Sequence, residues 1–209
     1  MLKYVIGAGA LVIVLGAAYY FFMMAPTAPP EPAIDPAQTP PATSTYATST
    51  FSVMYPLDYI VDPEYAYDQF GADKLIHGVK LTIPGSMATG TTLSADTYIA
   101  VEQLPRARNC TADIYIRQDV RAAETTDNGM QYSLATSSTA GTGNIYEEMV
   151  YAIPNSSPCT AVRYVIHSTS AANYEPGLVQ EFDWVKLMEA FDTIRRSLQL
   201  QTQPTGMTP

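Results

Sequence analysis

Residues 183–200 read DWVKLMEAFDTIRRSLQL, and this stretch decides the fold class. Trp184, Leu187, Met188, Phe191 and Ile194 recur at helical spacing and form one apolar stripe, with Lys186, Glu189 and Arg196 away from it. Asp183 has the short acceptor side chain of an N-cap, and Asp192 precedes Arg196 at the spacing of a supportive ion pair. A single amphipathic helix cannot bury its own stripe. It needs a surface to lie on, and the residues before it supply strands.

Residues 144–153 and 161–167 flank Pro154-Asn155-Ser156-Ser157-Pro158 and are predicted to pair antiparallel. Residues 120–126 and 130–137 flank Asp127-Asn128-Gly129, where Asn-Gly accepts positive φ at both central turn positions and so marks a hairpin. Residues 138–143 read as a loop. In a strand over 78–83, Val79, Leu81 and Ile83 face one way, and Lys80 and Thr82 the other. Residues 97–104 read as a strand and 85–94 as a small-residue loop. Thr111 is placed to cap a short helix over 112–118, with Asp113 in its first turn. Further upstream, Phe51, Val53 and Tyr55 alternate along a first strand that Pro56 ends, and residues 59–61 form a short successor. Residues 62–74 mix acids and tyrosines without a period and read as irregular. Strands first and a packing helix last make an α+β domain, an antiparallel sheet packed by the C-terminal helix and the short middle helix.

Ahead of that domain the composition changes twice. Residues 4–25, YVIGAGALVIVLGAAYYFFMMA, carry no charge over 22 positions. As a helix they reach about 33 Å, enough to cross a hydrocarbon core of about 30 Å. Lys3 is the only cation before them, which places the start of the chain in the cytoplasm and the remainder outside, at the cell membrane. A signal peptide cleaved at Gly16-Ala17-Ala18 is the competing reading, but the apolar run continues through Tyr19–Met24. Residues 26–44 hold seven prolines among Ala and Thr. Proline fixes φ and removes donors, so an extended, disordered stalk is expected, with the domain boundary at 45/46. A proline-rich recognition ligand is the alternative, without the usual flanking basic residues. The domain spans 46–200, and 201–209 is expected to be a loose tail.

The formal charge is −9, and residues 46–200 carry ten Lys and Arg against 18 Asp and Glu. An acidic domain lacks the face that phosphate backbones require, so nucleic acid is not an expected partner, nor are anionic headgroups. The expected partners are the bilayer, through residues 4–25, and an envelope protein or glycan.

Phe51-Ser52-Val53-Met54-Tyr55-Pro56-Leu57-Asp58-Tyr59-Ile60-Val61 resembles the opening strand, proline and aromatic of PsbP/Mog1-like domains. Phe191-Asp192-Thr193-Ile194-Arg195-Arg196-Ser197-Leu198-Gln199-Leu200 is similar to that family's closing helix and strand. The resemblance implies an antiparallel sheet sandwiched by helices and a non-catalytic accessory or binding role. The loop over 85–94 and the two cysteines depart from the family's better-known members.

Cys110 and Cys159 are the only cysteines, and an even pair in an exported domain is most simply a disulfide. His77 and His167 are the only histidines. No Gly-x-Ser-x-Gly elbow accompanies them, and His167 alternates with Arg163 and Val165 on what reads as a solvent face. Asp62, Glu64, Asp68 and Asp73 match no calcium loop, and no zinc or dinucleotide motif is present, so no catalytic residue, metal or cofactor is assigned. Glu147 and Glu148 point to opposite faces of one strand. Tyr55, Tyr59, Tyr65 and Tyr67 cluster with the acids, and Tyr59, Tyr65 and Tyr67 are the aromatics expected to meet a partner. The expected function is a non-catalytic binding or accessory module of the envelope. A hydrolase with an unrecognised site and a structural spacer are the alternatives.

Overall fold

The computed structural model describes residues 42–201. The apolar run 4–25, most of the proline-rich stretch and the tail after Gln201 lie outside the described residues. Among the described residues, no helix is long and apolar enough to cross a membrane.

The domain is a mostly antiparallel α+β fold. Strands β1 (Thr43–Ala47) and β2 (Phe51–Pro56) pair as a hairpin, and β11 (Gln199–Leu200) closes the other edge of β2. A second sheet runs in the order β3 (Ile60–Asp62), β5 (Ile76–Thr82), β6 (Tyr98–Leu104), β10 (Cys159–Thr169), β9 (Asn144–Ala152), β8 (Met130–Gly141) and β7 (Ala123–Asp127). Strand β4 (Ala66–Tyr67) pairs the start of β5 beside β3. The closing helix, Trp184–Arg196, begins as read, with the Asp183 carboxylate accepting from the Lys186 N–H at 3.0 Å.

Several boundaries differ from the sequence reading. Residues 43–45 belong to β1 rather than to a stalk, because they follow the last proline and have N–H groups to give to β2. Within 62–74, β4 forms and Tyr65 and Tyr67 are buried. The 85–94 loop contains a helical turn, Gly85–Ala88, and its end bridges to Gln180 and Ser168. The middle helix shrinks to a 3₁₀ turn, Ala112–Tyr115, with no side-chain bond from Thr111. Tyr115 is drawn into the core, where its hydroxyl donates to the Cys159 carbonyl at 2.7 Å. Residues 138–141 are strand, because Thr142 and Gly143 take φ of 52° and 82° and make a second tight hairpin.

The central strands of the larger sheet are buried on both faces. On one side Val79, Leu81, Ile99, Val101, Tyr164 and Ile166 meet Leu187, Phe191 and Ile194 of the closing helix. The opposite face carries small residues, among them Ala100, Ala135, Ala152 and Ala161, which leave room for Tyr65, Tyr67 and Tyr115 to pack down on it. Close approach is tightest at Gly78, where a Cβ would run into the Val101 carbonyl of the neighbouring strand.

The closing helix is also tied to the Asp-Asn-Gly hairpin. Asp127 accepts from Arg195 Nη2 at 2.8 Å and from Arg196 Nε and Nη2 at 2.7 and 3.0 Å. Arg195 lies over the rings of Tyr132 and Tyr151 and donates from Nε to the Tyr164 hydroxyl. Hydrogen bonds from Arg196 hold the Asp127 carboxyl down at about 2. A depressed carboxyl stabilises the fold above its unfolded pKa, and that contribution is lost as pH falls through the folded value. Asp127→Asn is therefore expected to lower the melting temperature by about 3 °C at neutral pH. In melts recorded from pH 7 to 2, the gap to the parent should close between about pH 4 and 2; a constant gap would overturn the assignment.

Candidate functional site

Beyond the tyrosine-covered half, the small-residue face of the sheet opens into a cleft of about 480 Å³. The strand registers explain its composition. Ser137 lies opposite Glu148, Glu148 opposite Val165, and Val165 opposite Tyr98, which makes one row across four strands. Thr139, Tyr146 and His167 make the next row. Tyr65, Tyr67 and Asp68 wall the cleft from the β4 side, and Asp96 sits at its rim.

Beneath this wall, Arg163 and Glu102 are both 0% exposed. Arg163 donates from Nε and Nη2 to the two Glu102 oxygens at 2.7 and 2.8 Å, and from Nη2 to the Tyr115 carbonyl at 2.7 Å. Its Nη1 donates to Glu148, and its guanidinium lies 3.6 Å from the centre of the Tyr67 ring. Burial works against the Arg163 charge, but the carboxylates outweigh it and hold its pKa above the ordinary value. Burial pushes the Glu102 carboxyl up while Arg163 pulls it down. The Tyr65 hydroxyl donates to Glu102 at 3.2 Å, which leaves it to accept from the Tyr98 hydroxyl at 3.0 Å. Burial raises both phenols, Tyr98 to about 12.

At the rim, His167 Nδ1 is 2.8 and 3.0 Å from the Asp96 oxygens, and Nε2 is 3.0 Å from the Asn144 side-chain oxygen. Its ring stacks on Tyr146 with centroids 4.2 Å apart. Ser137 donates to Glu148 at 3.3 Å. A histidine, an aspartate and a serine thus share one cleft, but the imidazole Nε2 is engaged by an amide and the serine by a carboxylate. Nucleophilic catalysis needs that nitrogen on the hydroxyl.

Of the aromatics expected to meet a partner, Tyr65 and Tyr67 line the cleft, whereas Tyr59 lies in the helix-side core with its hydroxyl donating to Met87 Sδ. His77 is exposed on β5. Asp62 pairs with Lys80 at 3.3 Å, and among the described residues no three metal-binding side chains converge. Cys110 and Cys159 are joined in a disulfide, and no free cysteine is left.

The face that carries Arg163, Val165 and His167 is not the solvent face expected from alternation. Arg163 is fully buried because the β4 segment folds over it, and His167 is part of the cleft. Glu102 and Arg163 were missed as a pair. Their signal in the sequence is that each is the one formally charged residue in its strand, flanked on both sides by apolar residues or a single amide. No family model matches the chain, and no curated protein matches it.

Proposed function

We propose that this chain is a membrane-anchored, extracytoplasmic, non-catalytic binding module that takes its ligand in the cleft beside β4. The observation that carries the reading is the cleft itself, an aromatic- and acid-lined cavity over a self-satisfied ion cluster that fixes its wall. Tyr67 is stacked on a guanidinium held by two carboxylates, so the wall is preformed, as binding sites generally are. Residues 4–25 serve as the anchor and the prolines after them as the spacer, with Lys3 at the cytoplasmic end. The likeness of residues 51–61 and 191–200 to PsbP/Mog1-like domains supports an accessory role.

The His167–Asp96 contact favours a hydrolase as a second reading. It is weaker because Ser137 and the imidazole are each committed elsewhere.

In-cell cross-linking of the full chain tests the proposal. Thr139 is exposed on the cleft lining, so T139W narrows the cavity without entering either core. Partners captured by the parent should fall at least several-fold with T139W, while both proteins stay with the membrane after carbonate washing. Equal capture would overturn the cleft as the binding site. Release of the parent by carbonate would overturn the anchor.

A further inference from the structure

We infer that the cleft is selective for an organic cation, an ammonium or guanidinium group carried on a short flexible stem; this rests on the cleft being the binding site.

Three observations point the same way. The first is the direction of the hydrogen bonds. Tyr98 donates to Tyr65, Tyr65 to Glu102, and Ser137 to Glu148, while the Arg163 N–H groups go to Glu102, Glu148 and the Tyr115 carbonyl. These donors are turned inward and spent. The Asp68 and Asp96 carboxylates, which can only accept, remain toward the cavity beside the Gln118 amide and the Thr139 and Tyr146 hydroxyls, so a ligand that brings N–H groups finds acceptors there.

The second is charge. Asp68, Asp96 and Glu148 bring their carboxylates to the cavity, Asp96 beside His167 and Glu148 over Arg163. Of the cations nearby, Arg163 lies beneath the surface and is matched by its bidentate contact with Glu102, Lys80 is paired with Asp62, and Arg117 lies in the adjoining hollow. A cavity with low-dielectric walls and one sign of charge concentrates the opposite sign.

The third is the rings, which already attract the chain's own cations. Lys80 Nζ sits 5.5 and 5.7 Å from the Tyr65 and Tyr98 centroids, and Arg163 stacks on Tyr67. Tyr146, 42% exposed at the rim, is an aromatic surface that such a group would pass. The cavity volume suits a side chain of lysine or arginine size with room for the backbone that bears it.

Such a group could belong to a basic peptide or to a free diamine. Titration calorimetry on the full chain in zwitterionic nanodiscs, with empty nanodiscs subtracted, separates the two. The probes are tri-lysine amide, 1,5-diaminopentane, chitotriose and tri-glutamate. Binding of both amines supports the inference and makes the amine itself the recognised group; binding of tri-lysine alone supports it and assigns a peptide source. Asp96→Asn should weaken tri-lysine by about threefold, and added salt should weaken it further. Absence of binding by both amines overturns the inference, as does equal binding of tri-glutamate. If chitotriose binds instead, or if capture in cells still depends on T139W, the binding-module reading stands and only the cation selectivity fails. If capture is also indifferent to T139W, both fail.

Discussion

Arg163→Met is expected to destabilise the domain by about 3–5 kcal/mol, the largest effect of any single substitution proposed for this chain. The size follows from what stays behind. Glu102 is fully buried, and without the guanidinium its carboxylate keeps only the Tyr65 hydroxyl. Glu148 loses its Arg163 contact and Tyr67 the cation against its ring. A buried charge with one neutral donor is far costlier than the absent pair, because desolvation is no longer opposed. The double variant R163M/E102L should therefore regain most of the loss, since two apolar groups of similar volume replace the pair. Urea unfolding of the full chain in detergent, run as a double-mutant cycle, measures both. If R163M costs under about 1 kcal/mol, or the double variant is worse than the single, the cluster is not the keystone of the cleft wall.

Removing the disulfide should have the next largest effect. Cys110→Ala with Cys159→Ala opens a loop whose ends are 49 residues apart. The chain-entropy model puts that at about 4 kcal/mol, acting through the unfolded state. The location adds a structural readout. Cys110 stands just before the 3₁₀ turn that delivers Tyr115, and Cys159 opens β10 and offers its carbonyl to the Tyr115 hydroxyl. The same denaturation series should show a midpoint lowered in the alanine variant, and the parent treated with reductant should fall to match it. A parent midpoint unmoved by complete reduction would contradict the assigned contribution.

These two features differ in how visible they were beforehand. A pair of cysteines needs only counting, and the stripe of the closing helix, the Asp-Asn-Gly turn and the alternation of Val79, Leu81 and Ile83 are local patterns that the structure repeats. Arg163 was hidden by a general rule. Alternation assigns the second face of a strand to solvent, but here β4 and the 3₁₀ turn cover it. The alanines that make space for this cover have weak periodic signals of their own. Thr142 obscured a hairpin because β-branched residues seldom take positive φ. The cleft was less legible still. His167 and Asp96 are 71 residues apart, and it takes the β6–β10 pairing and the Leu93–Ser168 bridge to bring them together. Tyr59 and Tyr65 look like neighbours in a list of tyrosines, yet they belong to opposite sides of the sheet.

Strand β10 contributes to both sides at once. Val162, Tyr164 and Ile166 enter the helix-side core, Ala161 and Arg163 the other, and the ladder continues on both edges to β6 and β9. Neither layer can separate without dismantling this strand, so the two are expected to lose their structure together, with partial opening at margins such as β1, β4 and β7. The cleft floor, to which β10 contributes Val165 and His167, belongs to that frame. In the proposed binding site, a ligand would therefore rest on a floor that yields only with the domain as a whole.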